Sequence, residues 1–249
     1  MSNPILLNTQ FISGEHKPLK VLIVGQIYQD IILSVDSFPE ENTKTRAQQT
    51  TFRYGGSCIN IAKALALFPK TQPHIMSAVG PKETVSRTIA NINSKGIKTY
   101  CFYRKQPTPS CYIIQSRLTG SQTIVSYDSS INGVTREEFI LKLEMNQISR
   151  TMSFDFDSHN AIFDWVHFEG RNCKSTASQI DWLETMTKGE EWNKQLKISI
   201  ELEDPGAPEL DELLKKSDVF FFSKEFAMKK GFNDSKEFIR YYQPRSKPG

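Results

Sequence analysis

Tyr54-Gly55-Gly56-Ser57-Cys58-Ile59-Asn60-Ile61-Ala62 joins a β-rich run to a stretch with helical spacing of its apolar residues. The two glycines let the backbone approach a ligand closely, and the first turn of the helix presents unpaired amides and a positive dipole end. Asn60 is a poor helix-interior residue, and its amide can both donate to and accept from a polyol. A Gly-Gly loop with Ser57 as N-cap is also a common helix start, so the pattern alone leaves a purely structural role equally open.

A carboxylate precedes this segment at Asp30, five residues after Gly25. Gly25 follows the aliphatic run from Val21 to Val24, which is typical of a strand buried on both faces. Ligands of open α/β sheets bind beyond the carboxyl ends of strands, and a carboxylate there can accept two sugar hydroxyls. An isolated Asp is more often a solvated turn residue, but the apolar residues that follow disfavour a simple exposed turn.

The second half of the chain alternates strand and helix patterns at βαβ length. This alternation predicts an α/β fold with a parallel sheet covered by helices on both faces. Residues 31–54 and 99–115 contain strand patterns without intervening helices, which predicts a small separate β-layer that acts as a lid or an oligomer contact. Residues 1–18 are expected to form a flexible extension. Residues 243–249, which include two prolines, are expected to form a loose tail.

Composition excludes several classes of protein. The 249 residues carry a net charge of +3 and no basic run interleaved with aromatics, so nucleic acid is not an expected partner. The four cysteines show no CxxC spacing, which predicts reduced thiols, no metal site and a cytoplasmic location. No window approaches the ~20 apolar residues of a membrane span, so no membrane association is expected.

These pieces together resemble the phosphofructokinase-B or ribokinase family of carbohydrate kinases, which opens with a strand, a Gly, a nearby Asp and a Gly-Gly-x-x-x-Asn helix start. The segments 120–128, 165–172 and 219–225 are similar to the ketohexokinase branch, and the likeness runs from Leu19 to Tyr242. The resemblance implies a ribokinase-like three-layer αβα sandwich over residues 19–242. It also implies a β-sheet lid that serves as the contact of a homodimer.

The resemblance implies ATP-dependent, Mg²⁺-assisted phosphorylation of a small sugar, a ketohexose such as fructose; a ribokinase- or adenosine-kinase-like specificity is the alternative. Carried over by position, the substrate-binding residues are Asp30, Asn42, Gly55, Gly56, Ser57, Asn60 and Glu169, with Arg171 and Asn172 ordering Glu169. The nucleotide-binding residues are Gln122, Ser223 and Lys224. Ser57, Asn42 and Gln122 replace an Asn, an Asp and an Arg of that branch, which puts the ketohexose specificity in question.

The family's Gly-Ala-Gly-Asp segment, which carries the catalytic Asp base, has no counterpart in this sequence. Gly206-Ala207 is the one Gly-Ala pair, and no Gly-Asp follows it. We therefore expect a fold that lacks its C-terminal portion, with no catalytic residue of its own and no kinase turnover. The expectation of ATP and Mg²⁺ binding does not extend to this chain by itself. A non-catalytic, sugar-binding or dimerising short form is the alternative.

Overall fold

The computed structural model describes residues 17–152, 163–188, 196–207 and 209–247, without the side chains of residues 146–152 and 187. The strands in these ranges are β1 (Leu19–Val24), β2 (Tyr28–Val35), β3 (Gln49–Gly55), β4 (Thr71–Val79), β5 (Lys98–Tyr103), β6 (Ser110–Ser116), β7 (Gln122–Tyr127), β8 (Trp165–Glu169), β9 (Lys197–Leu202) and β10 (Val219–Phe222). The helices are α1 (Ser57–Leu65), α2 (Lys82–Asn93), α3 (Arg136–Met152), α4 (Cys173–Thr187), α5 (Leu210–Leu213), α6 (Lys224–Lys229) and α7 (Ser235–Tyr242).

The larger sheet has six strands in the order β10-β9-β8-β1-β4-β5, and every neighbouring pair is parallel. β1 lies in the middle, and its run from Val21 to Val24 is at most 7% exposed. Helices cover both faces of this sheet, which explains why the strand reads as a continuous aliphatic run rather than an alternation. The predicted parallel sheet is confirmed.

Two apolar cores hold the layers together. On one face, α1 and α2 pack through side chains that include Ile59 and Ile92. On the other face, α3 to α7 pack through side chains that include Phe139, Ile180 and Phe226. The predicted three-layer αβα sandwich is therefore confirmed.

The smaller sheet, called here the lid sheet, has the strand order β3-β2-β6-β7. β2 pairs antiparallel with β3 and parallel with β6, and β6 and β7 form an antiparallel hairpin. The assignment of residues 99–115 to this layer was wrong in part, because β5 (Lys98–Tyr103) pairs parallel with β4 in the large sheet. β4, α2 and β5 form a βαβ unit, whose crossover returns the chain to the same sheet. β7 completes the lid sheet instead.

The structure covers the two predicted flexible ends of the chain to different extents. Most of the predicted N-terminal extension, residues 1–16, lies outside the described residues. The predicted loose tail was wrong for residues 243–247, since Gln243–Arg245 form a 3-10 helix and the amide of Lys247 donates to the Leu214 carbonyl at 3.0 Å. Proline is compatible with the start of such a helix because its missing N–H is not needed there. None of the helices in the described ranges is long and apolar enough to cross a membrane.

Candidate functional site

A cleft of about 1000 Å³ opens where the lid sheet meets the carboxyl ends of β1 and β8. Its lining comes from three parts of the fold. The carboxyl ends of β1 and β8, with the residues that follow β1, contribute Gly25, Gln26 and Glu169. The lid sheet contributes Tyr28, Cys111 and Ser126, and the starts of α3 and α4 contribute Thr135, Arg136, Asn172 and Lys174. A cleft at the carboxyl ends of parallel strands is the usual ligand site of an open α/β sheet.

Asp30 lies next to this cleft in a row of side chains that crosses the lid sheet. The strand register places Arg53, Asp30, Cys111 and Ser126 side by side, and Cys111 and Ser126 line the cleft. Asp30 is 5% exposed, and its Oδ2 accepts a hydrogen bond from Arg53 Nε at 3.0 Å. Its Oδ1 has no hydrogen-bond partner within the described residues. A carboxylate oxygen with unused lone pairs can accept a hydroxyl, which makes Oδ1 a position for a ligand hydroxyl.

Gly55 and Gly56 are required by the geometry beside Asp30. A Cβ on Gly55 would lie 2.2 Å from Asp30 Oδ2, so the carboxylate occupies the space that any other residue would need. Gly56 has φ +90°, and a Cβ there would lie 2.5 Å from the Gln26 carbonyl oxygen. The sequence motif therefore brings the backbone against Asp30 on one side and against the end of β1 on the other.

Glu169 joins three elements at the base of the cleft. Its Oε1 accepts from the Cys58 amide at 2.6 Å, in the first turn of α1, and its Oε2 accepts from the Gln26 amide at 2.9 Å. The side chain is almost fully buried, and burial raises the pKa of the carboxyl above its usual range despite the opposing Gln26 bond and Arg171 charge. Glu169 thus uses an amide of α1 that the sequence pattern left available to a ligand.

Arg171 and Asn172 support this arrangement. Arg171 donates from Nε to Glu169 Oε2 at 3.3 Å, from Nη1 to the Tyr28 hydroxyl at 3.2 Å and from Nη2 to Glu203 Oε1 at 3.2 Å. It therefore ties the ends of β8 and β9 to the first residue of the lid sheet. Asn172 is the N-cap of α4, where its side chain accepts from the Ser175 amide at 3.0 Å.

The other predicted site residues are more scattered. Ser57 is half-buried at the start of α1, while Asn60 is exposed and its side chain has no hydrogen bond within the described residues. The predicted residues that line the cleft are Gly56, Glu169, Arg171 and Asn172. Asp30, Gly55, Ser57 and Asn60 are not part of the described lining, although they lie close to Gly56 in the sequence or in the lid sheet. Four further residues are also outside it: Asn42, Gln122, Ser223 and Lys224.

Each of these four has an identifiable local setting. Asn42 lies in an exposed turn with φ 61°, between β2 and β3. Gln122 begins β7, about 17 Å by strand rise from Tyr127 at its cleft end. Ser223 is the N-cap of α6 and accepts from the Phe226 amide at 2.9 Å, and Lys224 is exposed beside it.

The sequence pattern did not single out Arg53, Tyr28 or Cys111. Arg53 stands two residues before Gly55, so the period-2 alternation of a strand puts both on one face, and that signal was available. Cys111 Sγ lies 3.5 Å from Ser126 Oγ, a contact that depends on the β6–β7 register.

Comparison with known proteins places the chain among sugar kinases. The family model described as pfkB family carbohydrate kinase matches residues 18–225. Ketohexokinase from Mus musculus is 27% identical over 232 residues, which cover 92% of this chain and 72% of that protein.

Solved ribokinase structures share the fold. The ribokinase of Giardia lamblia superposes with a TM-score of 0.69 at 16% identity, over 92% of this chain and 66% of that one. The ribokinase of Cryptococcus neoformans var. grubii serotype A, in complex with ADP, gives 0.57 at 14% identity, over 92% and 67%. The chain thus spans about two thirds of the length of these structures.

Proposed function

Because the chain belongs to the pfkB family of carbohydrate kinases, we propose that its cleft binds a ketohexose such as fructose as the substrate of an ATP-dependent kinase. The observation that carries this proposal is Asp30, a buried carboxylate with one oxygen bonded to Arg53 and the other without a partner within the described residues. The 27% identity to mouse ketohexokinase favours a ketohexose over the pentose of a ribokinase.

The chemistry at Asp30 suits a polyhydroxylated ligand. A hydroxyl donating to a carboxylate contributes about 1.5–3 kcal/mol, and two free lone pairs on Oδ1 can accept adjacent hydroxyls. Gly55 lets the backbone lie directly against the carboxylate, and Gly56 lets it lie against the end of β1, so the two glycines fix the position of Asp30 beside the cleft. Glu169 and Arg171 hold the end of β8, α1 and the lid sheet at fixed positions around that ligand.

The described residues fit ATP only in part. ATP, when bound, supplies the phosphoryl group. Lys224, exposed after the carboxyl end of β10, is the residue that would hold a phosphate, whereas Ser223 is committed to capping α6. Within the described ranges no cluster of three or more acidic, His or Cys side chains could hold a metal ion, so the described residues alone do not form a Mg²⁺ site.

We also propose that the 249-residue chain by itself binds sugar without transferring phosphate. A general base must lie within hydrogen-bond reach of the attacking hydroxyl, and the Gly-Ala-Gly-Asp segment that supplies it in the family is absent from the sequence. Glu169, the buried carboxylate at the cleft, has both oxygens bonded to the protein. Loss of one stabilising donor alone costs about 10²–10³ in rate.

Calorimetric titration with fructose and, separately, with ATP tests these proposals. We expect fructose to bind the wild type and Asp30→Asn to weaken that binding at least ~10-fold. Asp36→Asn is the matched control, because Asp36 follows the far end of β2 and its side chain is 74% exposed. Fructose binding that is absent, or that survives Asp30→Asn unchanged, contradicts the assignment. Fructose-dependent ADP release by the purified chain would overturn the second proposal.

The outer face of the lid sheet supports a second proposal, a homodimer. The register places Phe52, Ile31, Tyr112 and Val125 in one row on the side opposite Asp30, and Phe52 and Val125 are 68% and 60% exposed. Such a contiguous apolar row is typical of an interface. We expect a dimer by light scattering and a monomer for Val125→Lys; a wild-type monomer would contradict this.

The four free cysteines support a cytoplasmic location, which cell fractionation checks.

A further inference from the structure

Arg53 places a cation directly beside the sugar-binding carboxylate. Its Nε is 3.0 Å from Asp30 Oδ2, and the two residues are opposite each other in the antiparallel pairing of β2 and β3. The Arg53 side chain is 51% exposed, whereas that of Asp30 is 7% exposed. The guanidinium therefore forms the solvent side of this pair, where an incoming ligand meets it first.

The Asp30 bond uses only part of the guanidinium. The two terminal nitrogens of Arg53 make no hydrogen bond within the part of the chain that the structure describes. These nitrogens and Nε form a planar fork that matches a carboxylate or a phosphate. A ligand hydroxyl on Asp30 Oδ1 would bring its neighbouring substituents next to that fork.

The charges around Asp30 also favour an anion. Lys63 donates to the Tyr54 carbonyl at 2.7 Å and lies close enough to Arg53 and Asp30 to interact with both electrostatically. One carboxylate and two cations leave this corner with a net charge of +1, and Lys95 adds a further positive field. The acidic groups elsewhere on the cleft do not reverse this balance. Glu169 is paired with Arg171, and the lining that contains Asp128 and Glu137 also contains Arg136 and Lys174.

We infer that Arg53 is a specificity-determining residue, and that the sugar bound at Asp30 carries an anionic substituent, a carboxylate or a phosphate, held by the terminal nitrogens of Arg53. This inference rests on the proposed function and names the substrate class of the same site. Asp30 Oδ1 selects for a hydroxyl, and Arg53 selects for the charge on the same molecule. A neutral ketose satisfies the first contact and leaves the second to water.

A titration panel at low and high salt tests this inference. The ligands are fructose, fructuronate, fructose 1-phosphate and fructose 6-phosphate, so the arms separate neutral, carboxylate and phosphate ketoses. The proteins are the wild type, Arg53→Gln, Arg53→Lys and Asp30→Asn. Arg117→Gln is the matched control, because Arg117 is also exposed beside the lid sheet but pairs with Asp36 at 3.8 Å.

The wild type is expected to bind at least one anionic ketose about 10- to 100-fold more tightly than fructose. Arg53→Gln should remove that preference, Arg53→Lys should restore part of it, and Arg117→Gln should keep both the preference and the fructose affinity. High salt should weaken the anionic ketose selectively. That salt effect is measured on the wild type, so it tests the inference even if Arg53→Gln folds poorly.

Two results would overturn the inference alone. One is Asp30-dependent binding of fructose that is as tight as binding of every anionic ketose. The other is an anion preference that survives in folded Arg53→Gln. Failure of the wild type to bind any of the four ketoses would instead refute the proposed function, and this inference with it.

Discussion

Substituting Gly55 by Ala tests how closely the Gly-Gly segment and Asp30 are fitted to each other. The added Cβ would lie 2.2 Å from Asp30 Oδ2 and 2.7 Å from both Cγ and Oδ1. Separations under 3.0 Å cannot be tolerated without a shift. Asp30 is short, buried and fixed in the β2–β3 pairing, so its carboxylate has little room to move away.

The cost follows from two opposing terms. Inserting a methyl group into a packed position costs about 1–3 kcal/mol, and reduced freedom of the unfolded chain returns about 0.4–1 kcal/mol. Gly55 does not have a positive φ, so no backbone strain adds to this. We therefore expect Gly55→Ala to lower the free energy of unfolding by about 1–2 kcal/mol. Displacement of Asp30 should weaken ketose binding at least ~10-fold.

A double-mutant cycle separates this contact from other effects. In an Asp30→Ala background the clashing atoms are gone, so Gly55→Ala should be neutral or slightly stabilising. Gly133→Ala is the matched control for stability, because a Cβ there meets nothing within 4 Å. Urea unfolding of the four proteins and the control measures these differences. An equal cost of Gly55→Ala in both backgrounds, or no cost in either, would refute the reasoning.

Three further predictions concern buried charge and exposed apolar surface. Glu169→Gln should lower the free energy of unfolding by about 1–3 kcal/mol, because one of the amides of Cys58 and Gln26 would then face an NH₂ group; unchanged urea unfolding would contradict this. Burial lowers the pKa of His74 and His167 to about 4, so the unfolded state takes up protons below pH 6.5 and the folded state does not until about pH 4. The free energy of unfolding should therefore fall by up to about 3 kcal/mol per histidine as the pH is lowered from 6.5 to about 4. The H74Q/H167Q variant should show a flatter dependence of stability on pH. An identical dependence would disprove the lowered pKa of these two histidines. Phe221, 51% exposed on the edge strand β10, should promote further association at protein concentrations above those at which the lid-sheet dimer forms. Phe221→Lys should therefore lose the species larger than a dimer in sedimentation, and identical sedimentation would argue against this edge.

The layered fold could be predicted from local patterns because they are repeated along the chain. The buried run at β1 and the alternation of strands and helices after residue 160 both require a covered parallel sheet. The place of β5 was missed because its partly buried pattern fits either sheet. The preceding α2 was the better guide, since a strand, a helix and a strand of this length return to one sheet.

The site could be predicted only where local sequence determines it. Gly55 and Gly56 were recognisable as a close-approach motif, and Asp30 as a residue beyond the end of β1. The Arg53–Asp30 pair depends on the register of β2 and β3, which the intervening 36–48 segment does not fix. The bonds of Glu169 depend on how β8 approaches α1, and no spacing within either element encodes that contact.

A crystal structure of the chain with a bound ketose tests the central claim most directly. We expect a sugar hydroxyl within about 2.5–3.0 Å of Asp30 Oδ1, with the sugar lying against Gly56. A well-ordered sugar held elsewhere in the cleft, with Asp30 still contacting only Arg53, would contradict it.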